Sequence, residues 1–169
     1  MRFHKDILVL DFEGFIDPTQ IGVVLLDKET LEEKDSYVSY VHANLQGYVS
    51  KTTGITQDML SNAPSQAEVG KELYKKFGTN FFIGTWVGDL DIRNFKKLIT
   101  AAGIPWKEYD YHVYDIWPVA YTYLLKQGYT GSVRSEEMFV ELGAQPRDKH
   151  DALEDARIAA EVLRKIVAK

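Results

Sequence analysis

Two carboxylates stand two residues apart at the end of the first apolar segment of the chain. Asp11 and Glu13 follow an uninterrupted apolar run at 7–10 that predicts a buried strand. Residues i and i+2 of a strand leave the same face of the sheet, so both carboxylates point to one side. Their repulsion and desolvation favour a divalent cation between them, and Mg²⁺ prefers such oxygen ligands. Acidic residues are also common where a strand ends at solvent, so this pair alone leaves both interpretations open.

A second candidate lies in segment 84–91, which reads Gly-Thr-Trp-Val-Gly-Asp-Leu-Asp and joins a predicted strand to a predicted helix. Ligands collect at such turns in α/β sheets. Asp91, at the expected beginning of the helix, is the candidate metal ligand, with Asp89 as a nearby alternative. Capping the helix is the commoner role for Asp in this setting.

The third candidate is the segment 150–155, His-Asp-Ala-Leu-Glu-Asp. Asp151 and Glu154 have the spacing of a capping box, which predicts a helix after Asp151 and leaves His150 in the preceding loop. Asp155 then lies near the first turn, on a side able to face the sheet. An imidazole can accept a proton from water near neutral pH, and a nearby carboxylate would complete a cation site. A capped surface helix with an incidental histidine is the alternative.

The elements that must position these motifs predict one α/β domain over residues 1–169. Apolar runs at 7–10, 21–26 and 37–41 predict a three-stranded antiparallel meander. Strands and helices then alternate, which implies a mixed sheet flanked by helices. The later strands are expected at 81–83 and 113–115, and the helices between Ser65 and Gly78, from about Asp91 to Ala102, over 119–125 and after Asp151.

The amino-acid composition limits the side chains that could bind a metal ion. The 169 residues include no cysteine, which excludes disulfides and thiolate metal sites and leaves carboxylates and imidazoles as ligands. The net charge of −5 argues against tight passive binding to nucleic acid, although a carboxylate site that binds cations accounts for part of it. Early charged residues argue against a signal peptide, and no apolar run reaches the length of a membrane span. We therefore expect a cytoplasmic protein.

The three motifs, in this order, resemble the DEDDh group of 3′-5′ exonucleases over nearly the whole chain, from Ile7 to about Val167. The segment 53–56, Thr-Gly-Ile-Thr, is similar to the family's segment before its first helix. The final His-Asp-Ala-x-x-Asp-Ala stretch is the most specific match. The resemblance implies a ribonuclease H-like, five-stranded mixed sheet. It also implies that His150 is the general base and that two divalent cations, Mg²⁺ or Mn²⁺, are bound by four carboxylates: Asp11, Glu13, Asp91 and Asp155.

The resemblance implies an enzyme that hydrolyses terminal phosphodiesters at the 3′ ends of single-stranded RNA or DNA and releases nucleoside 5′-monophosphates. Many members have Thr after the glutamate of the first motif, whereas this chain has Gly14-Phe15. Trp86 followed by Gly88-x-x-Asp91 is similar to the branch that trims histone mRNA and small RNAs. The candidate substrate contacts are Phe12, Gly14, Phe15 and Trp86. For the three aromatic residues among them, packing in the core is the alternative role.

Two other interpretations stay open at this point. A catalytically silent module could keep the fold to hold nucleic acid or a protein, and an endonuclease could use a related sheet. Basic residues that flank the second and third motifs could contact phosphates or form an ordinary solvated surface; they are Lys96, Lys97, Arg147 and Lys149. The oligomeric state is not predicted.

Overall fold

A five-stranded sheet organises the computed structural model, which describes residues 3–144 and 149–167. Its strands, in chain order, are β1 (Asp6–Glu13), β2 (Gln20–Leu26), β3 (Glu33–Tyr40), β4 (Phe81–Thr85) and β5 (Val113–Asp115). The spatial order is β3-β2-β1-β4-β5. The first three strands pair antiparallel, whereas β4 pairs parallel with both β1 and β5. The predicted mixed sheet, a meander followed by parallel strands, is confirmed.

Seven α-helices occur in the described residues. They are α1 (Gly47–Thr53), α2 (Gln57–Ser61), α3 (Gln66–Phe77), α4 (Gly88–Ala101), α5 (Ile116–Lys126), α6 (Ser135–Glu141) and α7 (Ala152–Val167). A single 3₁₀ turn spans Trp106–Glu108. The sequence did not predict α1, α2 and α6, because helices of five to seven residues are too short for a periodic pattern. Among the described residues no helix has the length and apolar character needed to cross a bilayer.

The two faces of β1 serve two different cores. Ile7 and Val9 belong to the core formed with α5, α6 and α7, whereas Leu8 and Leu10 belong to the core formed with α3 and α4. Side chains alternate along a strand, so Asp11 and Glu13 continue the face of Ile7 and Val9. The pleat therefore directs both carboxylates toward the layer that contains α7.

The beginning of α7 lies directly on β2. Gly22 pairs in register with Asp11, and a Cβ atom at Gly22 would overlap the backbone of Ala152 and Leu153. Glycine is required here because only a residue without a side chain permits this approach. The buried Gln20 side chain adds two hydrogen bonds, accepting from the Ala152 N–H at 3.2 Å and donating to the Asp151 carboxylate at 2.9 Å. These contacts bring the first turn of α7 beside Asp11.

The structure corrects the expected beginning of α4 and the expected place of the segment 53–56. α4 begins at Gly88, three residues earlier than expected, and its N-cap is Val87, so neither Asp89 nor Asp91 caps it. Both acids lie in the first turn, where the helix dipole favours negative charge. The Thr-Gly-Ile-Thr segment at 53–56 begins at the last residue of α1 and ends before α2, so it does not precede the first helix.

The capping predictions hold at α3 and hold in part at α7. Ser65 and Glu68 form a complete capping box at α3. Asp151 caps α7, accepting from the backbone N–H groups of Leu153 and Glu154 at 3.1 and 3.2 Å. In a full capping box the Glu154 carboxylate would accept a hydrogen bond from the backbone N–H of Asp151. Here it accepts from the Arg157 side chain instead, at 2.7 Å.

Candidate active site

The end of β1 is held in place by the loop that follows it. The Glu13 carbonyl accepts hydrogen bonds from the backbone N–H and the hydroxyl of Thr19, at 2.7 and 3.0 Å. Gly14 has a φ of 104°, and a Cβ atom there would overlap the Asp17 carbonyl. Gly14 is therefore needed for the chain to turn directly after Glu13, in addition to any contact with a substrate.

The end of β1 also binds the carboxylate of Asp91. β4 pairs with β1 only as far as Leu10, which leaves the Phe12 N–H to donate to Asp91. The Asp91 side chain is 6% exposed. Burial, together with the negative charges of Glu13 and Asp115, raises the pKa of Asp91 to about 8, against the lowering effect of the hydrogen bond from Phe12. A buried carboxylate with acidic neighbours is a group that a cation would stabilise.

His150 and Asp155 reach the same place from the beginning of α7. The His150 Nδ1 atom lies 3.2 Å from the Asp155 Oδ2 atom and 4.0 Å from the Glu13 Oε1 atom. Ligand atoms of Glu13, His150 and Asp155 all lie within 4.8 Å of one another. The His150 backbone N–H donates to the Thr52 carbonyl at 3.1 Å, so the unpredicted helix α1 anchors the loop that carries the imidazole.

A carboxylate also faces the second nitrogen of the imidazole. The His150 Nε2 atom lies 3.7 Å from the Glu136 Oε1 atom, at the beginning of α6. The Asp155 carboxylate is at the Nδ1 side of the ring. Carboxylates on both sides stabilise the charged imidazolium relative to the neutral ring, so the arrangement suits a group that accepts a proton.

These residues surround a cleft of about 320 Å³ at the edge of the sheet. Its lining residues are Asp11, Phe12, Trp86, Val87, Leu90, Asp91, Ser135, Phe139, His150 and Asp155. Glu13 joins the cluster through its contact with His150. The structure thus brings together all five residues that the sequence selected for chemistry. Three of the four carboxylates, those of Glu13, Asp91 and Asp155, are buried. Such a set of hard oxygen donors fits divalent cations.

The four candidate substrate contacts differ in exposure. Phe12 and Trp86 both line the cleft, but each is only 6% exposed. Trp86 packs against Phe139 with ring centroids 4.4 Å apart and donates to the Ser135 hydroxyl at 2.9 Å. Phe15 is 57% exposed. Core packing therefore accounts for most of the surface of Phe12 and Trp86, whereas Phe15 is available for stacking.

Three side chains near the site were not selected as site residues from the sequence. Asn94 is fully buried and donates to the Gly14 carbonyl at 3.1 Å, which ties α4 to the end of β1. Asp115, which ends β5, accepts from the backbone N–H groups of Gly88 and Trp117 and so holds the beginnings of α4 and α5. The third is Glu136. Asp115 and Glu136 reach the site only through the tertiary packing of β5 and α6, whereas Asn94 lies three residues after Asp91 on α4.

The raised pKa of Asp91 predicts a dependence of stability on pH. The carboxylate ionises near 3.8 in the unfolded chain and near 8 in the folded protein. Between these values the folded state binds more protons, so stability falls as the pH rises and the loss is complete above about 8. Without metal, we expect Asp91→Asn to raise the melting temperature at pH 8.5 by about 4–8 °C, equivalent to about 2 kcal/mol.

Differential scanning fluorimetry between pH 4.5 and 8.5 checks this expectation. In EDTA the difference between variant and wild type should shrink toward the acid end of the range. Mg²⁺ should raise the melting temperature of the wild type more than that of Asp91→Asn. A difference that is constant across the pH range would contradict the assignment.

Comparison with known proteins adds a family match. A sequence model of the RNase_T family, described as an exonuclease, matches residues 17–163, which is most of the chain. A search of curated proteins finds no match. The matched region contains Asp91, His150 and Asp155 and begins shortly after Asp11 and Glu13.

Solved structures share the fold at low sequence identity. The nuclease domain of 3′hExo, described as a DEDDh family member bound to rAMP, has a TM-score of 0.74 at 21% identity, covering 99% of this chain and 94% of that one. Cell-death related nuclease 4 has a TM-score of 0.77 at 17% identity, covering 97% and 64%. The complex of E. coli ExoI with single-stranded DNA, in a zinc-bound form, has a TM-score of 0.77 at 18% identity, covering 98% and 40%. The chain thus spans less than two thirds of the latter two proteins, and the ribonuclease H-like fold is confirmed.

Proposed function

The chain belongs to the RNase_T exonuclease family, of the DEDDh type, and from that membership we propose a specific reaction. The protein removes nucleotides one at a time from the 3′ ends of single-stranded nucleic acid. The reaction requires two divalent cations, Mg²⁺ or Mn²⁺, and it releases nucleoside 5′-monophosphates.

The observation that carries this proposal is the convergence of the acidic groups with one imidazole at a single cleft. Asp11, Glu13, Asp91 and Asp155 are the residues that would hold the cations. Burying Asp91 and Asp155 to 6% exposure beside Glu13 is costly unless positive charge enters the cluster. When bound, the cations supply Lewis-acid stabilisation of the charge that develops on the reacting phosphodiester.

The remaining chemistry belongs to the side chains. His150 accepts a proton from the attacking water, and the carboxylates of Asp155 and Glu136 stabilise the resulting imidazolium. Attack on the terminal phosphorus breaks its bond to the 3′ oxygen of the preceding nucleotide. The products are a nucleoside 5′-monophosphate and a strand that is one nucleotide shorter, with a new 3′ hydroxyl.

The exposure of the aromatic side chains indicates which of them contact the substrate. Phe15 follows Glu13 by two residues and has an exposed ring, and base stacking on such a ring favours single strands and tolerates sequence. Phe12 and Trp86 line the cleft and are largely buried, so they shape the pocket for the terminal nucleotide. Trp86 followed by Gly88-x-x-Asp91 resembles the RNA-trimming branch, and we therefore favour RNA as the substrate.

A digestion assay tests the proposal. Single-stranded RNA and DNA oligonucleotides of one sequence, labelled at the 5′ end, are incubated in parallel with Mg²⁺. We expect a ladder that shortens from the 3′ end, nucleoside 5′-monophosphates as the released product, faster digestion of the RNA, and no shortening in EDTA.

Two controls separate the competing interpretations. A 3′-phosphorothioate or otherwise blocked end should prevent shortening, whereas internal cleavage of the blocked strand would indicate an endonuclease. Binding of the oligonucleotide without any shortening in Mg²⁺ or Mn²⁺ would support the catalytically silent module.

A further inference from the structure

A groove of about 420 Å³ runs along the outer face of α4. Its lining residues are Gln66, Arg93, Lys96, Lys97, Thr100 and Ala101, and we call it the α4 groove. The lining includes three cations and no carboxylate, in a chain whose net charge is −5. Cations gathered on one helix face of an acidic protein indicate an anionic ligand.

Arg93 and Lys96 each lie over an aromatic ring. The Arg93 guanidinium lies 5.5 Å from the centroid of the Phe15 ring, and the Lys96 ammonium lies 5.8 Å from the Trp106 ring. Among the ion pairs formed by residues 3–144 and 149–167, neither cation has a carboxylate within 4.0 Å. Aromatic faces combined with cations are the usual composition of surfaces that bind single strands.

Lys97 makes polar contacts with the loop that follows β1. Its ammonium donates to the Ile16 carbonyl and lies 3.3 Å from the Asp17 carboxylate. It therefore joins α4 to the loop that carries Phe15. This contact keeps the exposed Phe15 ring beside Arg93, at the end of the α4 groove nearest the active site.

The α4 groove follows the cleft along the same helix. Leu90 lines the cleft, and Arg93 and Lys97 follow it by three and seven residues, which places all three on one face of the helix. A helix advances 1.5 Å per residue, so the face extends about 10 Å from Leu90 to Lys97. A strand that ends in the cleft and passes Phe15 therefore meets Arg93 and then Lys96.

We propose that the α4 groove binds the phosphate backbone of the strand whose 3′ end lies in the cleft, through Arg93 and Lys96, with Phe15 stacked on a base between the cleft and Arg93. The proposal rests on the proposed function, since it assigns a path to the same substrate. It predicts that affinity depends on nucleotides upstream of the one removed.

Binding in EDTA tests the α4 groove without requiring catalysis. The probes are a fluorescein-labelled 12-nucleotide oligo-U and oligo-dT, and anisotropy is measured from 25 to 200 mM salt. Arg93→Glu/Lys96→Glu should weaken binding of the 12-mers at least 10-fold at 25 mM salt. Loss of two phosphate contacts to a single strand should reduce the slope of log Kd against log salt by about 1.4, or about 0.7 per contact.

A matched control carries the same change of charge on other surfaces. Lys75→Glu/Lys126→Glu reverses two exposed lysines on α3 and α5 and should leave the salt slope unchanged. The neutral pair Arg93→Gln/Lys96→Gln should lower the slope as much as the charge reversal does, with a smaller loss of affinity. An unchanged slope in both α4 variants, or an equal loss in the control, overturns the proposal.

Substrate length separates this proposal from the proposed function. In Mg²⁺, the α4 variants should raise KM for a 12-mer at least 10-fold more than KM for a dinucleotide. Equal effects on both lengths overturn the α4 groove while leaving the exonuclease assignment intact. A wild-type protein that binds with the expected salt slope but shortens no strand supports the groove and contradicts the proposed function.

Discussion

Replacing His150 with alanine is expected to lower kcat for nucleotide release by about 10²–10⁴-fold, the usual contribution of a general base. The reason is geometric, because the imidazole lies beside the carboxylates and has an acidic group near each of its ring nitrogens. Rates are measured with a 5′-labelled single strand at saturating Mg²⁺. The affinity for Mn²⁺, measured by calorimetry, should change much less than kcat.

A second histidine supplies the control. His42 is exposed and lies outside the cleft, so His42→Ala should retain wild-type kcat. Wild-type turnover in His150→Ala would remove His150 from the mechanism. A variant that loses Mn²⁺ affinity in proportion to its rate would indicate a metal ligand and not a base.

Replacing Asp155 with asparagine is expected to lower kcat by about 10³-fold or more and to weaken Mn²⁺ binding. The amide keeps the volume of the side chain but removes a negative charge from a buried cluster. Loss of a metal ligand forfeits several kcal/mol of transition-state stabilisation, and each 1.36 kcal/mol is a factor of ten in rate. Asp11→Asn should behave in the same way.

Glu154→Gln is the matched control, because Glu154 neighbours Asp155 on the same helix and is exposed. It should lose the contact with Arg157 at little cost in stability and keep both rate and Mn²⁺ affinity. Unchanged Mn²⁺ affinity in Asp155→Asn or Asp11→Asn would exclude that residue as a ligand. The roles of the four carboxylates stay predictions until these titrations are made.

The spacing of apolar residues in the sequence was sufficient to predict the sheet and the long helices. Alternation along β1 placed Asp11 and Glu13 on one face, and the capping signals at Ser65 and Asp151 located two helix beginnings. The expected beginning of α4 was wrong because its N-cap, Val87, has no capping side chain to signal it. Asp115 supplies that function from β5, which the local sequence cannot indicate.

The helix and the basic residues around the site were harder to predict from the sequence. α1 carries no side-chain cap and contains several β-branched residues, so its helical state depends on tertiary contacts. Yet its Thr52 carbonyl anchors His150. The basic residues near the motifs also required coordinates, because Lys97 proved to be tied to the Phe15 loop while Lys96 lies over a ring. Arg147 lies outside the described residues.

The contact of Gly22 with the first turn of α7 has a consequence for biosynthesis. Translation delivers β1 and β2 early, whereas His150 and Asp155 leave the ribosome more than a hundred residues later. Until that segment emerges nothing packs on Gly22, and Asp11 and Glu13 lack His150 and Asp155, so we expect a nascent chain without nuclease activity. Nuclease activity would then depend on contact between segments that are more than a hundred residues apart in the chain.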